Sequence, residues 1–163
     1  MDYIFKHLYE ELTPRYLINI AKIINKNVEE IDSFRNTAVY IRGAEHVPPS
    51  AVDVPRLTGE LLHTSFKSGD YLWDVADFHI RYERIHPFSD GNGRSGRVLI
   101  NKQLLSVGRV PIVISKDKRS EYRGLLADGD VSGMQDLFDQ LAKSEEARMK
   151  QFGIGIESSL FGR

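Results

Sequence analysis

The chain has 163 residues, 41% hydrophobic and 28% charged, which predicts one soluble globular domain with a real core. Its 22 Lys and Arg against 23 Asp and Glu leave a formal net charge of -1, so there is no electrostatic case for nucleic acid or an anionic membrane as partner. The absence of cysteine excludes a disulfide scaffold, a thiolate metal site and a cysteine nucleophile, and no apolar run of membrane-spanning length or signal-peptide layout is present, so the default expectation is a cytoplasmic protein, with delivery to a host cell by a signal-free route left open.

In chain order the pattern is mostly helical. Thr13 followed by Pro14 has the form of an N-cap with proline in the first turn. Leu17, Ile20, Ala21 and Ile24 then recur at helical spacing until Asn25 to Asn27 ends the run. Residues 37–42 (Thr-Ala-Val-Tyr-Ile-Arg) are β-prone and close at Gly43. They are the one convincing strand signal, so a small hairpin or flap is expected rather than a sheet. Asp53 and Pro55 open a helix carrying Leu57, Leu61 and Leu62. Tyr71 to Ile85 predicts a strong helix with Leu72, Val75, Ala76 and His79 along one side, stopped by Pro87. Arg94 to Val107 predicts another, apolar on most sides through Val98, Leu99, Ile100, Leu104 and Leu105, ending before Gly108 and placed in the centre of the core. Val110 to Ser115 reads as a connector and 119–127 as one or two helical turns. Ser132 or Asp130 caps a last long helix bearing Met134, Leu137, Phe138 and Leu141. A single domain over 1–163 is expected, with its core from about 14 to 150 and a flexible tail after 152.

The chemistry concentrates between the two central helices, where His86 to Arg97 read His-Pro-Phe-Ser-Asp-Gly-Asn-Gly-Arg-Ser-Gly-Arg. A helix start presents unpaired N–H groups and a partial positive charge. Gly91 and Gly93 let the backbone curl into a nest for phosphate oxygens, and Asn92 either braces the turn or reaches a phosphate. Asp90 is a hard oxygen ligand beside that nest and suits Mg²⁺, which takes one or two carboxylates plus phosphate oxygens. Arg94 is placed for bidentate contact with outer phosphates, and Arg97 shares its face one turn on. His86 suits removal of a hydroxyl proton near neutral pH, and Phe88 reads as a buried anchor for the loop.

Two look-alike motifs fail on context. Gly91-x-Gly93-x-x-Gly96 spells the dinucleotide fingerprint, with Asp117 at a plausible distance, but a helix ending in His-Pro precedes it and no βαβ unit surrounds it. Asp90-Gly91-Asn92-Gly93 echoes a calcium loop, yet that register puts Phe88 and Leu99 at ligand positions.

The segment resembles the pattern His-x-Phe-x-Asp/Glu-Gly-Asn-Gly-Arg-x-x-Arg of the Fic (Fic/Doc) family. The similarity extends more weakly from about residue 14 to residue 127, through Arg35 to Pro49, the helix ending at Ile85, and Arg119 with Tyr122. It implies an all-α bundle of the Fic fold with a small β-hairpin flap, and an enzyme that moves AMP from ATP to a Ser, Thr or Tyr hydroxyl of a target protein. On that resemblance His86 is the general base, Asp90 coordinates Mg²⁺ bridging the α- and β-phosphates, the backbone of Gly91, Asn92 and Gly93 forms the anion hole, and Arg94 and Arg97 hold the β- and γ-phosphates. The target would lie along the 37–47 flap by strand addition. The intact Gly-Asn-Gly-Arg favours nucleotidyl over phosphoryl transfer, since a kinase branch of the family carries lysine and lacks the second glycine. Transfer of another nucleotide or of phosphocholine, and a catalytically silent nucleotide-binding module, remain as alternatives.

Many relatives restrain themselves with Ser/Thr-x-x-x-Glu-Gly/Asn, whose glutamate pairs with the second motif arginine, here Arg97. No such match occurs in these 163 residues. The expectation is a chain active unless partnered, restrained by a separate inhibitor or antitoxin protein or by a segment lying elsewhere. Of the other histidines, His79 reads as a hydrogen-bonded core residue, His46 as a flap residue that either touches target or adenine or is solvated, and His7 and His63 as surface residues.

Overall fold

The computed structural model describes residues 2–41 and 46–153. Among these, helices are the only regular structure: α1 (Asp2–Lys6), α2 (Pro14–Asn25), α3 (Val54–Thr64), α4 (Tyr71–Ile85), α5 (Asn92–Ser106), α6 (Arg119–Asp128) and α7 (Val131–Gln151). None is long and apolar enough to cross a membrane.

Each helix starts where local chemistry allows. Thr13 Oγ1 accepts the Tyr16 N–H at 3.1 Å, ahead of Pro14 in the first turn of α2. Asp70 Oδ1 accepts the Leu72 and Trp73 N–H groups at 3.1 and 3.2 Å and starts α4. Asp130, not Ser132, caps α7 by accepting the Gly133 N–H at 2.9 Å. Asp53 occupies the cap position of α3 without capping it; its carboxylate pairs with Arg56 at 3.2 Å, and a short 3₁₀ turn at Ala51–Asp53 leads into the helix instead. Just past the end of α5, the left-handed backbone of Gly108 (φ 73°) lets the Arg109 N–H reach the Leu104 carbonyl at 2.9 Å.

Helix α4 lies at the centre and packs on α3, α5 and α7; α2 packs on α5, and α6 on α7. Its two sides serve different clusters. Phe78, Tyr82 and Ile85 join Leu17, Ile20, Ala21, Leu61, Phe88 and Leu99. Leu72, Val75, Ala76 and Ile80 join Ile100, Leu104, Met134, Leu137 and Phe138. Helix α5 is less apolar than its sequence suggests: it also buries Lys102, whose Nζ donates to the Glu10 carbonyl at 2.6 Å, and Gln103.

Three expectations are revised. The N-terminal α1, not foreseen, buries Ile4 and sets Tyr3 against Tyr16 with ring centroids 5.8 Å apart. Helix α6 runs for ten residues rather than one or two turns. No strand forms over 37–41 or 46–50, while residues 42–45 of the expected hairpin lie outside the described residues. A two-stranded ribbon without a third strand or a covering helix is marginal, so β-prone composition alone does not create it.

Candidate active site

His86 terminates α4 in the left-handed region (φ 51°, ψ 63°), a rare conformation for a residue with a Cβ. Its own N–H still bonds the Tyr82 carbonyl at 3.0 Å. The ring is half-buried, and Nδ1 lies 3.2 Å from the Glu83 carbonyl. A carbonyl only accepts, so Nδ1 carries the proton and the neutral ring keeps the Nε2 lone pair for a base's work. Burial lowers the His86 pKa from its ordinary value; the Glu83 bond opposes this, the Arg35 charge adds to it, Asp90 opposes it, and His46 adds to it. Next along the chain, Phe88 is fully buried against Phe34, ring centroids 5.6 Å apart, and anchors the turn as expected.

The turn into α5 begins two residues earlier than periodicity suggested, at Asn92. Gly91 has φ 77°, and a Cβ there would meet the Asn25 side chain at 2.5 Å, so conformation and space both require glycine. The first intrahelical bond runs from the Ser95 N–H to the Gly91 carbonyl at 2.8 Å. The amides of Asn92, Gly93 and Arg94 precede it and have no carbonyl within the helix to reach, which leaves these three, one residue on from the expected Gly91, Asn92 and Gly93, open to an anion. Asn92 itself is 2% exposed and fully engaged: Nδ2 donates to the Phe88 carbonyl at 2.8 Å and Oδ1 accepts the Phe88 N–H at 2.9 Å. Its side chain therefore braces the loop, and only its backbone is available to an anion.

Asp90 and Arg94 form an ion pair at 2.8 Å with side chains 50% and 42% exposed. Such pairs contribute roughly 0–1 kcal/mol, so a phosphate or cation can compete for either partner. Arg97 is exposed and folds back along α5; a Cβ on Gly93 would lie 3.2 Å from its Nη1. The arginines and the free amides thus converge on one helix end. Among the described residues no three metal-ligating side chains cluster. A lone carboxylate beside an anion nest is a poor cage for a metal by itself and a good anchor for Mg²⁺ that brings phosphate oxygens and water with it.

Several residues at this site carry no motif signal. Asn25, wholly buried at the end of α2, donates from Nδ2 to the Asp90 carbonyl at 3.1 Å and accepts from Arg94 Nη2 at 2.8 Å. Ser95 Oγ lies 3.0 Å from the Gly91 and Asn92 carbonyls and 2.7 Å from the Tyr82 hydroxyl, which donates to it. Beneath the glycines, Glu83 has a buried Oε1 without a hydrogen-bond partner, and a Cβ on Gly96 would sit 2.5 Å from it. Burial raises the Glu83 carboxyl to about 7, against the pull of Arg97. His79 is a buried core residue as expected: Nε2 lies 2.7 Å from the Tyr122 hydroxyl, and burial lowers its pKa to about 3. Only tertiary placement puts these groups under the loop; Asn25 in sequence signals nothing beyond a helix end. A 480 Å³ cavity lined by Phe66, Tyr71, Lys102 and Gln103 lies at the other end of α5, so chemistry rather than concavity marks the site.

Comparison with known proteins bears on the family and the fold. The profile of the Fic/DOC family matches residues 11–104. The protein adenylyltransferase Fic of Drosophila grimshawi is 34% identical over 142 residues, covering 80% of this chain and 29% of the relative. Its counterpart in Drosophila virilis is 32% identical over 145 residues, with the same two shares. The chain thus spans under a third of the length of these curated relatives. Among solved structures, a Fic domain containing signaling protein of Bacteroides thetaiotaomicron superposes with a TM-score of 0.77 at 20% identity, over 96% of this chain and 70% of that one. BepC of Bartonella tribocorum, solved with bound AMPPNP, gives 0.57 at 16% identity, over 86% and 80%. At such identities the structures speak for the fold.

Proposed function

Because this chain belongs to the Fic/DOC family, we propose that it transfers AMP from ATP to a hydroxyl of a target protein, as the name protein adenylyltransferase says of its relatives. The observation that carries the reading is the His86 ring, whose Nδ1 is spent on the Glu83 carbonyl while Nε2 stays unprotonated in the neutral form.

In this reading the amides of Asn92, Gly93 and Arg94 receive the phosphate oxygens nearest the reacting phosphorus, and they need no reorganisation as charge develops there. Arg94 leaves its exposed pair with Asp90 to hold an outer phosphate, and Arg97 closes on the same chain of phosphates from Gly93. Asp90 would be the residue to hold Mg²⁺, which would supply neutralisation of phosphate charge. Nε2 of His86 takes the proton from the target hydroxyl, whose oxygen attacks the α-phosphorus in line as pyrophosphate departs. Asn25 and Asn92 keep the turn in shape throughout. A target segment docking along the 37–47 flap would supply by strand addition the neighbours that its described residues lack.

Incubation with Mg²⁺, α-labelled ATP and a cell extract tests this. Label should appear on protein and vanish in His86→Ala, with a fall of about 10²-fold or more. Label arriving only from γ-labelled ATP would identify a kinase. No label from either, with ATP still bound, would leave a nucleotide-binding module.

A further inference from the structure

A helix leaves its last carbonyls without amide partners, and when these are shielded from water something else must satisfy them. The usual solution is a glycine in the left-handed position. In α4 that position is His86, and the carbonyls are met by side chains from elsewhere. Arg84 accepts from His46 Nε2 at 2.9 Å. Ile85 and His86 accept from Arg35, through Nη2 at 3.3 Å and Nε at 2.7 Å. The same guanidinium reaches the Thr37 carbonyl through Nη1 at 3.0 Å and the Pro49 carbonyl through Nη2 at 2.6 Å. The Arg35 backbone N–H adds the Pro87 carbonyl at 2.9 Å.

Arg35 is 5% exposed, and among the described residues each hydrogen bond from its side chain runs to a backbone carbonyl. Burying a cation among uncharged acceptors is costly, and the cost lowers its own pKa. What the arrangement secures is geometric. A guanidinium is a rigid plane with donors at fixed angles, so its four carbonyls hold one another in place. Two of them flank the flap and two belong to the end of α4. His46 fastens the far side of the flap to the same helix turn.

We propose that Arg35 is a positioning residue that couples the flanks of the flap, Thr37 and Pro49, to the base, holding the His86 ring in its productive orientation while those flanks are seated. The inference rests on the adenylyl-transfer reading for its purpose, but not for its geometry. Displacing Thr37 or Pro49 tilts the guanidinium and withdraws Nε from the His86 carbonyl. A target strand docked on the flap fixes both flanks and so fixes the base.

Nitrogen NMR of the histidine rings in the whole chain, without nucleotide or target, reads this directly. Wild-type His86 should show the Nδ1–H tautomer; the Nε2–H form would overturn the proposal. Arg35→Lys keeps the charge but not the plane. It should give mixed His86 tautomers together with shifted carbonyl-carbon resonances at Thr37 and Pro49, whose oxygens Arg35 binds, while His63 stays unmoved. A change at either place without the other would overturn the coupling. If the lysine variant does not fold, His46→Ala decides, with the same pair of changes expected and an unaltered His86 ring counting against us. With labelled ATP, Arg35→Lys should lower kcat and leave the KM for ATP within about twofold. A wild type with the expected tautomer but no labelling activity would sink adenylyl transfer and leave the clamp standing.

Discussion

His86 and Glu83 are neighbours on one helix turn with opposite electrostatic tasks. Burial keeps the His86 pKa below its ordinary value, so the free base is already dominant at neutral pH. The acid limb of kcat/KM should therefore have its midpoint below ~6.5; a midpoint above that would remove His86 as the base. Glu83 is shifted the other way, to about 7 from 4.5, because its carboxyl is buried beneath the glycines. A carboxyl whose folded pKa is raised contributes stability that is complete below its unfolded pKa and lost as pH climbs through the folded one. The Glu83 contribution should thus fall between about pH 4.5 and 7, by at most about 3 kcal/mol, while the depressed His79 adds stability over much of the same window, so Glu83→Gln should gain stability relative to wild type as pH rises. Urea midpoints for both proteins at pH 5 and pH 8 check it; parallel pH profiles would contradict it. Gly96 has no room to grow, with Glu83 Oε1 2.5 Å and His79 Cε1 2.9 Å from where a Cβ would be. Gly96→Ala should cost about 1–3 kcal/mol in denaturant melts, whereas Gly124→Ala, with open space around it in α6, should not destabilise.

At the scale of elements, the helices that matter for the site are fixed by caps and stops rather than by propensity. Asp70 is the clearest case, accepting two N–H groups of the first turn of α4 and a third bond from Gln135 Nε2 of α7 at 2.7 Å. Asp70→Ala should destabilise the fold by ~1 kcal/mol, and Asp70→Ser should recover part of it. Thermal melts compare the three, and equal melting temperatures would show that the cap carries no weight. Helices α2, α4 and α7 were legible because apolar spacing and a capping residue agree there. A formed hairpin is not seen in the described part of the flap, because β-propensity describes a surface that needs neighbours, and Thr37 to Ile41 pair with no strand among the described residues. The early start of α5 was missed because Asn92 and Gly93 are poor helix formers, admitted at the first positions by the bonds between Asn92 and Phe88.

Across the whole molecule, α4 and α5 each contribute to both apolar clusters, so neither cluster can melt while the other stands. Leu17→Ala and Phe138→Ala, one in each cluster and each fully buried, should each cost about 2–5 kcal/mol and shift one shared cooperative transition. A biphasic melt in either variant would show two independent units. The chemistry of the loop was readable without any fold, because a histidine, a carboxylate, three glycines and two arginines within twelve residues are constrained by covalent geometry to share one helix junction. Local sequence likewise determined where α4 stops and why its last residue precedes a proline. What holds that junction was decided only in three dimensions. Asn25 under Gly91, Arg35 on the end of α4 and Glu83 beneath Gly96 lie far apart in type and, for the first two, in sequence. The hydrogen bonds of Asn25 and Arg35 depend on which helix ends meet, and no period or motif encodes a meeting between segments 50 or more residues apart.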